Sequence, residues 1–244
     1  MKRVIVTGIG AVSPLGNSFE ASWEAAKEGV SGIAPVTRFD ASGIKWKVAG
    51  ELKGFDASQY LSQKEIFHLD PFVQYAVAAS VMAVEDAGLA RQLSVISCQL
   101  SEKDFRPKTN DYLTSGGVII GSSRGGITTI EKAISYQLSG VSPSARRLSP
   151  HLMSSTGINA AASYVSQKLG IRGHCLGISN ACASGANAIG EAYRLIKSGY
   201  AGPVLAGGAE APVCRLCMEG YGVSGALSKI NDSSASRPFD RTRD

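Results

Sequence analysis

The sequence lacks long apolar runs. No stretch of about 18 consecutive apolar residues occurs, so no membrane-spanning helix is predicted. The apolar run in the N-terminal MKRVIVTGIG is too short, and too soon followed by glycine, to be typical of a signal peptide. The five cysteines are odd in number and irregularly spaced, which predicts free thiols and a reducing, cytoplasmic compartment rather than a disulfide framework.

Charge is also scarce. Lys and Arg number 25 against 20 Asp and Glu, and the net charge of +5 is spread along the chain. No basic stripe with interleaved aromatic residues is present, which argues against nucleic-acid binding. The small excess of positive charge is compatible with an acidic protein partner.

A complete dinucleotide-binding fingerprint is missing as well. Residues 2–7 (KRVIVT) predict a buried strand, and Gly8 and Gly10 follow it. The pattern G-x-G-x-x-G needs a third glycine at position 13, where the chain has Ser13. We therefore interpret the two glycines as part of a tight turn.

Helical and apolar segments alternate along the rest of the chain. This order predicts a mostly parallel sheet covered by helices on both faces, the α/β class, with no linker that would divide residues 1–244. Residues 90–115 are polar and irregular and predict a surface excursion. The further predicted strands are residues 47–52, 117–121, 174–179 and 203–207, and the predicted helices are residues 19–28, 72–87, 127–138, 154–169 and 183–198.

Residues 173–199 (GHCLGISNACASGANAIGEAYRLIKSG) predict a strand, a very tight turn and a long helix. Apolar residues alternate up to Ser179, and helical spacing begins after Cys182. Cys182 thus falls at the start of the helix, where the helix dipole favours the thiolate, the nucleophilic form of cysteine. The alternative is a buried packing cysteine.

The ACASGA segment around Cys182 resembles the nucleophile motif of the β-ketoacyl-acyl-carrier-protein synthases, the condensing enzymes of fatty acid synthesis. The resemblance is greatest to the elongating, carrier-protein-dependent type, and it covers the whole chain in the family's order. The other matching stretches are VTGIGAVSPLGN, DPFVQYAVAASVMAVEDAGL, IIGSSRGGITTIE, INAAASYVSQKLGIRG, LAGGAE and ASRPFDRTRD. The resemblance implies the thiolase-like fold, two similar α/β halves in a five-layered αβαβα core, with residues 1–244 as the N-terminal half.

The resemblance also implies a reaction. Cys182 would accept an acyl group from a carrier-protein thioester, and malonyl-carrier protein would then condense with it after losing carbon dioxide. The backbone N–H of Cys182 would be one oxyanion-hole donor. The family's two histidines, its lysine and its gating loop belong to the second half, so we expect no complete condensation from residues 1–244 alone. No cofactor is expected, because phosphopantetheine arrives on the carrier protein.

Four further residues acquire roles from the same resemblance. Ile130 corresponds to a position where the family's acyl tunnel passes near the dimer interface, although it could be an ordinary apolar helix position. Arg146 and Arg147 resemble a basic pair that contacts the acidic carrier protein, and Lys64 remains from a second basic docking segment. Exposed arginines in loops are often only solvated. A homodimer through the strand and helix around Cys182 is also implied.

Two rival functions stay open. A non-catalytic partner subunit, like the chain-length-determining proteins, would lack the nucleophilic cysteine, so Cys182 argues against it. A thiolase-like enzyme would use coenzyme A thioesters instead of a carrier protein. No catalytic role is assigned to the C-x-x-C of Cys214 and Cys217 or to the carboxylate of Glu210. The three histidines, His68, His151 and His174, lie outside the family's histidine motifs and also receive none.

Overall fold

The computed structural model describes residues 3–89, 111–139 and 148–244. Two compact units are formed: Met1–Gly10 with Asp56–Ala211, and Ala11–Phe55 with Pro212–Asp244. The strands are β1 (Ile33–Pro35), β2 (Val48–Gly50), β3 (Gly117–Gly121), β4 (Cys175–Ile178) and β5 (Val204–Gly208). The helices are α1 (Phe19–Lys27), α2 (Gln63–His68), α3 (Pro71–Asp86), α4 (Asp111–Thr114), α5 (Ile127–Leu138), α6 (Leu152–Thr156), α7 (Ala160–Leu169), α8 (Ser184–Lys197) and α9 (Arg215–Val223), with a 3-10 turn at Ala57–Gln59.

A parallel three-stranded sheet lies at the centre of the first unit. The strand order is β4-β3-β5, and Ile119 of β3 pairs with Leu176 of β4 and with Ala206 of β5. All five residues of β3 are buried. The all-parallel pairing agrees with the prediction from the apolar strands.

Helices cover both faces of this sheet. Val118 and Ile120 pack into a core cluster with residues of α3 and α7, whereas Ile119 packs with Ala188 and Leu195 of α8. Successive residues of a strand point to opposite faces, so α7 and α8 lie on opposite sides of the sheet. The predicted α/β layering is therefore confirmed.

The predicted strand at residues 2–7 is not formed, since the structure has no strand between residues 3 and 10. This stretch instead runs along α3. A Cβ atom at Gly8 would lie 2.2 Å from the carbonyl oxygen of Ala83, and one at Gly10 would lie 2.1 Å from that of Ala79. Only glycine permits this approach of two backbones.

The predicted helix at residues 154–169 is divided into α6 and α7. The break lies at Gly157, whose backbone is extended with φ −61° and ψ 146°. Helix α2 was not predicted, although it begins with a complete capping box in which Ser62 and Glu65 bond each other's backbone N–H groups.

The second unit contains β1 and β2, which pair antiparallel, together with α1 and α9. The side chain of Asn231 joins the C-terminal segment to the residues just before β2. It accepts from Lys47 N at 2.6 Å and donates to the Lys45 carbonyl at 2.9 Å. The ring of Trp46 packs directly on Gly222 of α9. Among the described residues, no helix has both the length and the apolar character needed to cross a membrane.

Candidate functional site

Cys182 lies in the turn between the end of β4 and the start of α8, and it is exposed. The neighbouring Ala181 has φ 46°, a left-handed conformation that is uncommon for a residue with a side chain. The buried hydroxyl of Ser184 holds this turn, because it accepts from Asn180 N at 2.8 Å and donates to the Ala181 carbonyl at 2.6 Å. The thiol is thus presented on a short turn whose shape is fixed by the first residue of the helix.

Glycines beneath the turn allow α8 to begin directly on the ends of two strands. A Cβ atom at Gly121, the last residue of β3, would lie 2.2 Å from the backbone carbonyl of Ser184. A Cβ atom at Gly208, the last residue of β5, would lie 2.9 Å from Gly185 Cα. The backbone of the helix start therefore sits in contact with the sheet, which leaves Cys182 little freedom to shift.

This placement suits a nucleophilic thiol. Cys182 precedes the first residue of a 14-residue helix by two positions, and the N-cap residue, Ala183, offers no side-chain acceptor to the first turn. The N-terminal end of such a helix favours negative charge on an oxyanion formed beside it. Cys175 on β4 is also exposed, whereas Cys214 and Cys217 are buried. Cys98 lies outside the described residues.

Ile130 is the fourth residue of α5 and is half-buried, and its N–H closes the first turn by donating to the Gly126 carbonyl at 3.1 Å. The loop that leads into α5 is bound by Glu210, whose carboxylate accepts from the Ser122 hydroxyl at 2.6 Å, from Ser123 N, and from Arg124 N at 3.2 Å. Glu210 therefore acts on the loop backbone, a structural use of its charge.

Lys64 is exposed on α2, one of the candidate docking elements. Two side chains of α7 attach this short helix to the core. The Lys168 ammonium, only 5% exposed, lies 3.1 Å from the Glu65 carboxylate, and the Tyr164 hydroxyl donates to the same carboxylate. Burial opposes ionisation of Glu65, but these bonds and the Ser62 N–H outweigh it and lower the pKa of Glu65. Arg146 and Arg147 lie outside the described residues.

The histidines make contacts with other partners. The rings of His68 and His151 lie 4.2 Å apart between centroids, tilted by 43°, and His174 Nε2 lies 3.3 Å from the Tyr200 carbonyl. None of the contacts described for these rings involves Cys182.

The C-x-x-C pair lies at the start of α9, with Cys214 as the N-cap residue and Cys217 within the helix. In the described part of the chain, no group of three or more His, Cys, Asp or Glu side chains is placed to hold a metal ion.

The family model for the N-terminal domain of the β-ketoacyl synthases matches residues 1–244. This chain belongs to the β-ketoacyl synthase family. It is 39% identical to 3-oxoacyl-[acyl-carrier-protein] synthase 2 of Vibrio harveyi and 40% identical to that of Synechocystis, and in each case the match covers 100% of this chain and 54% of the relative. The chain therefore spans about half the length of these curated relatives.

Solved structures agree with the family assignment. A β-ketoacyl synthase from Burkholderia phymatum superposes with a TM-score of 0.79 at 30% identity, covering 100% of this chain and 56% of that protein. The complex AntDE:AntF, a type II polyketide acyl-carrier protein with its ketosynthase, superposes with a TM-score of 0.74 at 26% identity. The match covers 100% of this chain and 54% of that chain. The thiolase-like α/β fold predicted for this β-ketoacyl synthase chain is thereby confirmed.

Three polar interactions of the synthase chain were not predicted from the sequence. Ser184 shapes the Cys182 turn, Glu210 binds the loop before α5, and Asp70 accepts from Thr129 N at 2.9 Å in addition to capping its own helix. A serine at the predicted start of α8 was a usable signal for a local cap. Glu210 bonds residues 86 to 88 positions away in the chain, and Asp70 bonds a residue 59 positions away. No local sequence pattern indicates hydrogen bonds between residues so far apart.

Proposed function

We propose that this chain carries the nucleophile of a 3-oxoacyl-[acyl-carrier-protein] synthase, with Cys182 as the acyl acceptor. The supporting observation is the exposed thiol on a tight strand-to-helix turn at the N-terminus of α8. The Cys182 thiolate attacks the thioester carbonyl carbon of the acyl donor, the negative charge moves to the carbonyl oxygen, and the backbone N–H of Cys182 stabilises that oxyanion. The intermediate collapses, the donor thiolate leaves and takes a proton, and the acyl group stays on Cys182.

Condensation is the second step that we propose for the whole protein. Malonyl-carrier protein loses carbon dioxide, the resulting carbanion attacks the acyl-Cys182 carbonyl, and the Cys182 thiolate leaves as the β-ketoacyl product forms. Negative charge develops on the malonyl thioester oxygen, which needs its own donors. None of the contacts described for the three histidines includes Cys182. We therefore expect acylation but no β-ketoacyl product from residues 1–244.

An acyl carrier protein is the proposed partner, and it supplies phosphopantetheine, so no other cofactor is required. The exposed Lys64 on α2 fits an acidic partner by charge, and Arg146 and Arg147 are proposed to add to this site. Reversing both arginines to Glu should slow association with the carrier protein, with the largest effect at low salt. Binding that is unchanged at low salt would remove them from the interface.

A homodimer is proposed through β4 and α8. Strand β4 is at one edge of the sheet, and Cys175, Leu176 and Gly177 are exposed along it. Helix α8 adds exposed apolar side chains, Ile189 at 55% and Tyr193 at 47%. Among the described residues no strand pairs with the outer edge of β4, and such an edge beside this helix face favours pairing with a second copy. The free thiols are compatible with a reducing compartment, and we propose the cytoplasm as the compartment in which the enzyme acts.

Acyl transfer to Cys182 can be tested directly. The 244-residue chain is incubated with an acyl-carrier protein or with the matching acyl-coenzyme A, and adducts are located by peptide mass spectrometry. We expect an acyl adduct on Cys182, formed faster from the carrier-protein donor, and retained in the control variant Cys175→Ser. Faster reaction with the coenzyme A donor would favour the thiolase-like alternative. Absence of an adduct on Cys182 from either donor would contradict the proposed nucleophile.

A further inference from the structure

Helix α5 has no cap of its own. Its N-cap residue is Gly126, which offers no side-chain acceptor, so the first turn must find acceptors elsewhere. The N–H of Thr129, the third helical residue, donates to Asp70 Oδ2 at 2.9 Å. The acceptor therefore comes from a residue 59 positions earlier in the chain.

The same carboxylate caps a second helix. Asp70 is the N-cap residue of α3, with Pro71 in the first helical position, and its Oδ1 accepts from Phe72 N at 3.0 Å. Each oxygen of one carboxylate thus satisfies the start of a different helix. Because α3 contributes Phe72 and Val73 to the centre of the main core, the start of α5 is tied to the most buried part of the unit.

Asp70 is completely buried, with an exposed fraction of 0%. Burial raises the pKa of its carboxyl group, and the bonds from Phe72 and Thr129 together with the charge of Lys132 counteract only part of that effect. Burying a carboxylate destabilises the folded state unless its oxygens accept hydrogen bonds. Loss of either N–H partner of Asp70 should therefore lower the stability of the fold.

Two further bonds hold the same end of α5. The hydroxyl of Thr128 donates to the Ala211 carbonyl at 2.6 Å, and Gly126 N donates to the Thr156 carbonyl at 3.0 Å. The other end of α5 is exposed, with Leu138 at 79%. The anchored end is the one that carries Ile130, the residue that directly follows Thr129.

We propose that Asp70 is a positioning residue for acyl-chain selection: by capping α5 at Thr129, it fixes the place of Ile130. This inference rests on the proposed function and on the acyl-tunnel position that the family resemblance implies for Ile130. Loosening the first turn of α5 would let Ile130 move away, and the preference among acyl chain lengths would weaken while Cys182 would keep its own turn and its nucleophilicity.

The test uses Asp70→Asn, which has nearly the shape of Asp70 but only one oxygen to accept a backbone N–H. Loss of one helix cap should speed amide exchange in the first turn of α5 by about fivefold or more in the 244-residue chain. Asp70→Ser provides a second variant, because Ser can still cap α3 but is too short to reach Thr129 as well. The control is Asp56→Asn, an exposed N-cap whose side chain accepts from Ser58 N at 2.9 Å within its own turn. It should leave α5 unchanged.

The second readout is the ratio of Cys182 acylation rates for a long and a short acyl-carrier protein. We expect both Asp70 variants to bring this ratio closer to one, and Ile130→Phe to lower it by excluding long chains. Unchanged exchange in α5 overturns the capping role. Faster exchange with an unchanged ratio, while Ile130→Phe alters the ratio, overturns the selection role and leaves the proposed function standing. No acylation of Cys182 even in the parent chain overturns the proposed function and the selection role with it.

Discussion

The contact between the end of β3 and the start of α8 allows a sharp test of how the Cys182 turn is held. Replacing Gly121 by Ala would place a methyl carbon 2.2 Å from the carbonyl carbon and oxygen of Ser184. Ordinary contact begins near 3.4 Å, so the helix start and the strand would have to separate by more than 1 Å. The obstacle is backbone on both sides, and no side-chain rotation can relieve it.

The expected destabilisation is about 3 kcal/mol, at the upper end of the usual range for overpacking because the obstacle is rigid. For a chain of this size, that corresponds to a melting temperature lower by about 6–12 °C. The matched control is Gly190→Ala in the same helix, where an added Cβ meets nothing within 4 Å. Since alanine is the better helix former by up to about 1 kcal/mol, the control should melt about 2–4 °C higher.

Thermal unfolding by circular dichroism measures both variants, and iodoacetamide labelling reports on the turn. We expect Gly121→Ala to change the labelling rate of Cys182, because the helix start that presents the thiol must move. A Gly121→Ala protein as stable as the parent, with Cys182 equally reactive, would refute the idea that close contact of α8 with the sheet positions the thiol.

Three further outcomes are expected. Brief labelling with sub-stoichiometric iodoacetamide should modify Cys182 before Cys175; the opposite order would contradict the assigned nucleophile. Lys64→Glu should weaken carrier-protein binding mainly at low salt, whereas Lys27→Glu, an equal charge change elsewhere, should not; equal effects would indicate a general charge effect. The lowered pKa of Glu65 adds stability that is present above about pH 4.5 and lost as pH falls through the folded pKa, so Glu65→Gln should show a weaker acid dependence in denaturant titrations.

Local patterns predicted the central strand of the fold and the place of Cys182 between a strand and a helix. The run GGVIIG became the buried strand β3, and the change from alternation to helical spacing near Cys182 coincides with the passage from β4 to α8. Both signals lie within a few residues of the feature that they predict. The resemblance to a known family added the chemistry, which periodicity alone does not carry.

The wrong prediction of a strand at residues 2–7 concerns a non-local partner. Residues 2–7 have the apolar, β-branched composition of a strand, but a strand needs a neighbour, and the described part of this stretch packs on α3 through Gly8 and Gly10 instead. Asp70 followed by Pro71 is a local signal for the start of α3, yet no nearby residue pattern indicates the bond to Thr129. Helical spacing across residues 154–169 also concealed the extended backbone at Gly157.

The Cys182 turn shows how a locally unfavourable geometry is maintained. The left-handed backbone of Ala181 costs about 1 kcal/mol or more. The two hydrogen bonds of the Ser184 hydroxyl stabilise the turn by about 1 kcal/mol each, which offsets this cost. Both bonds join residues of the turn to one another, so they cannot set the position of the turn on the sheet. That place depends on the absence of a side chain at Gly121. The Ser184 hydroxyl therefore holds the shape of the turn, and the contact at Gly121 holds its position on the sheet. Loss of the Ser184 hydroxyl should distort the turn without moving α8. A side chain at Gly121 should move both the turn and α8.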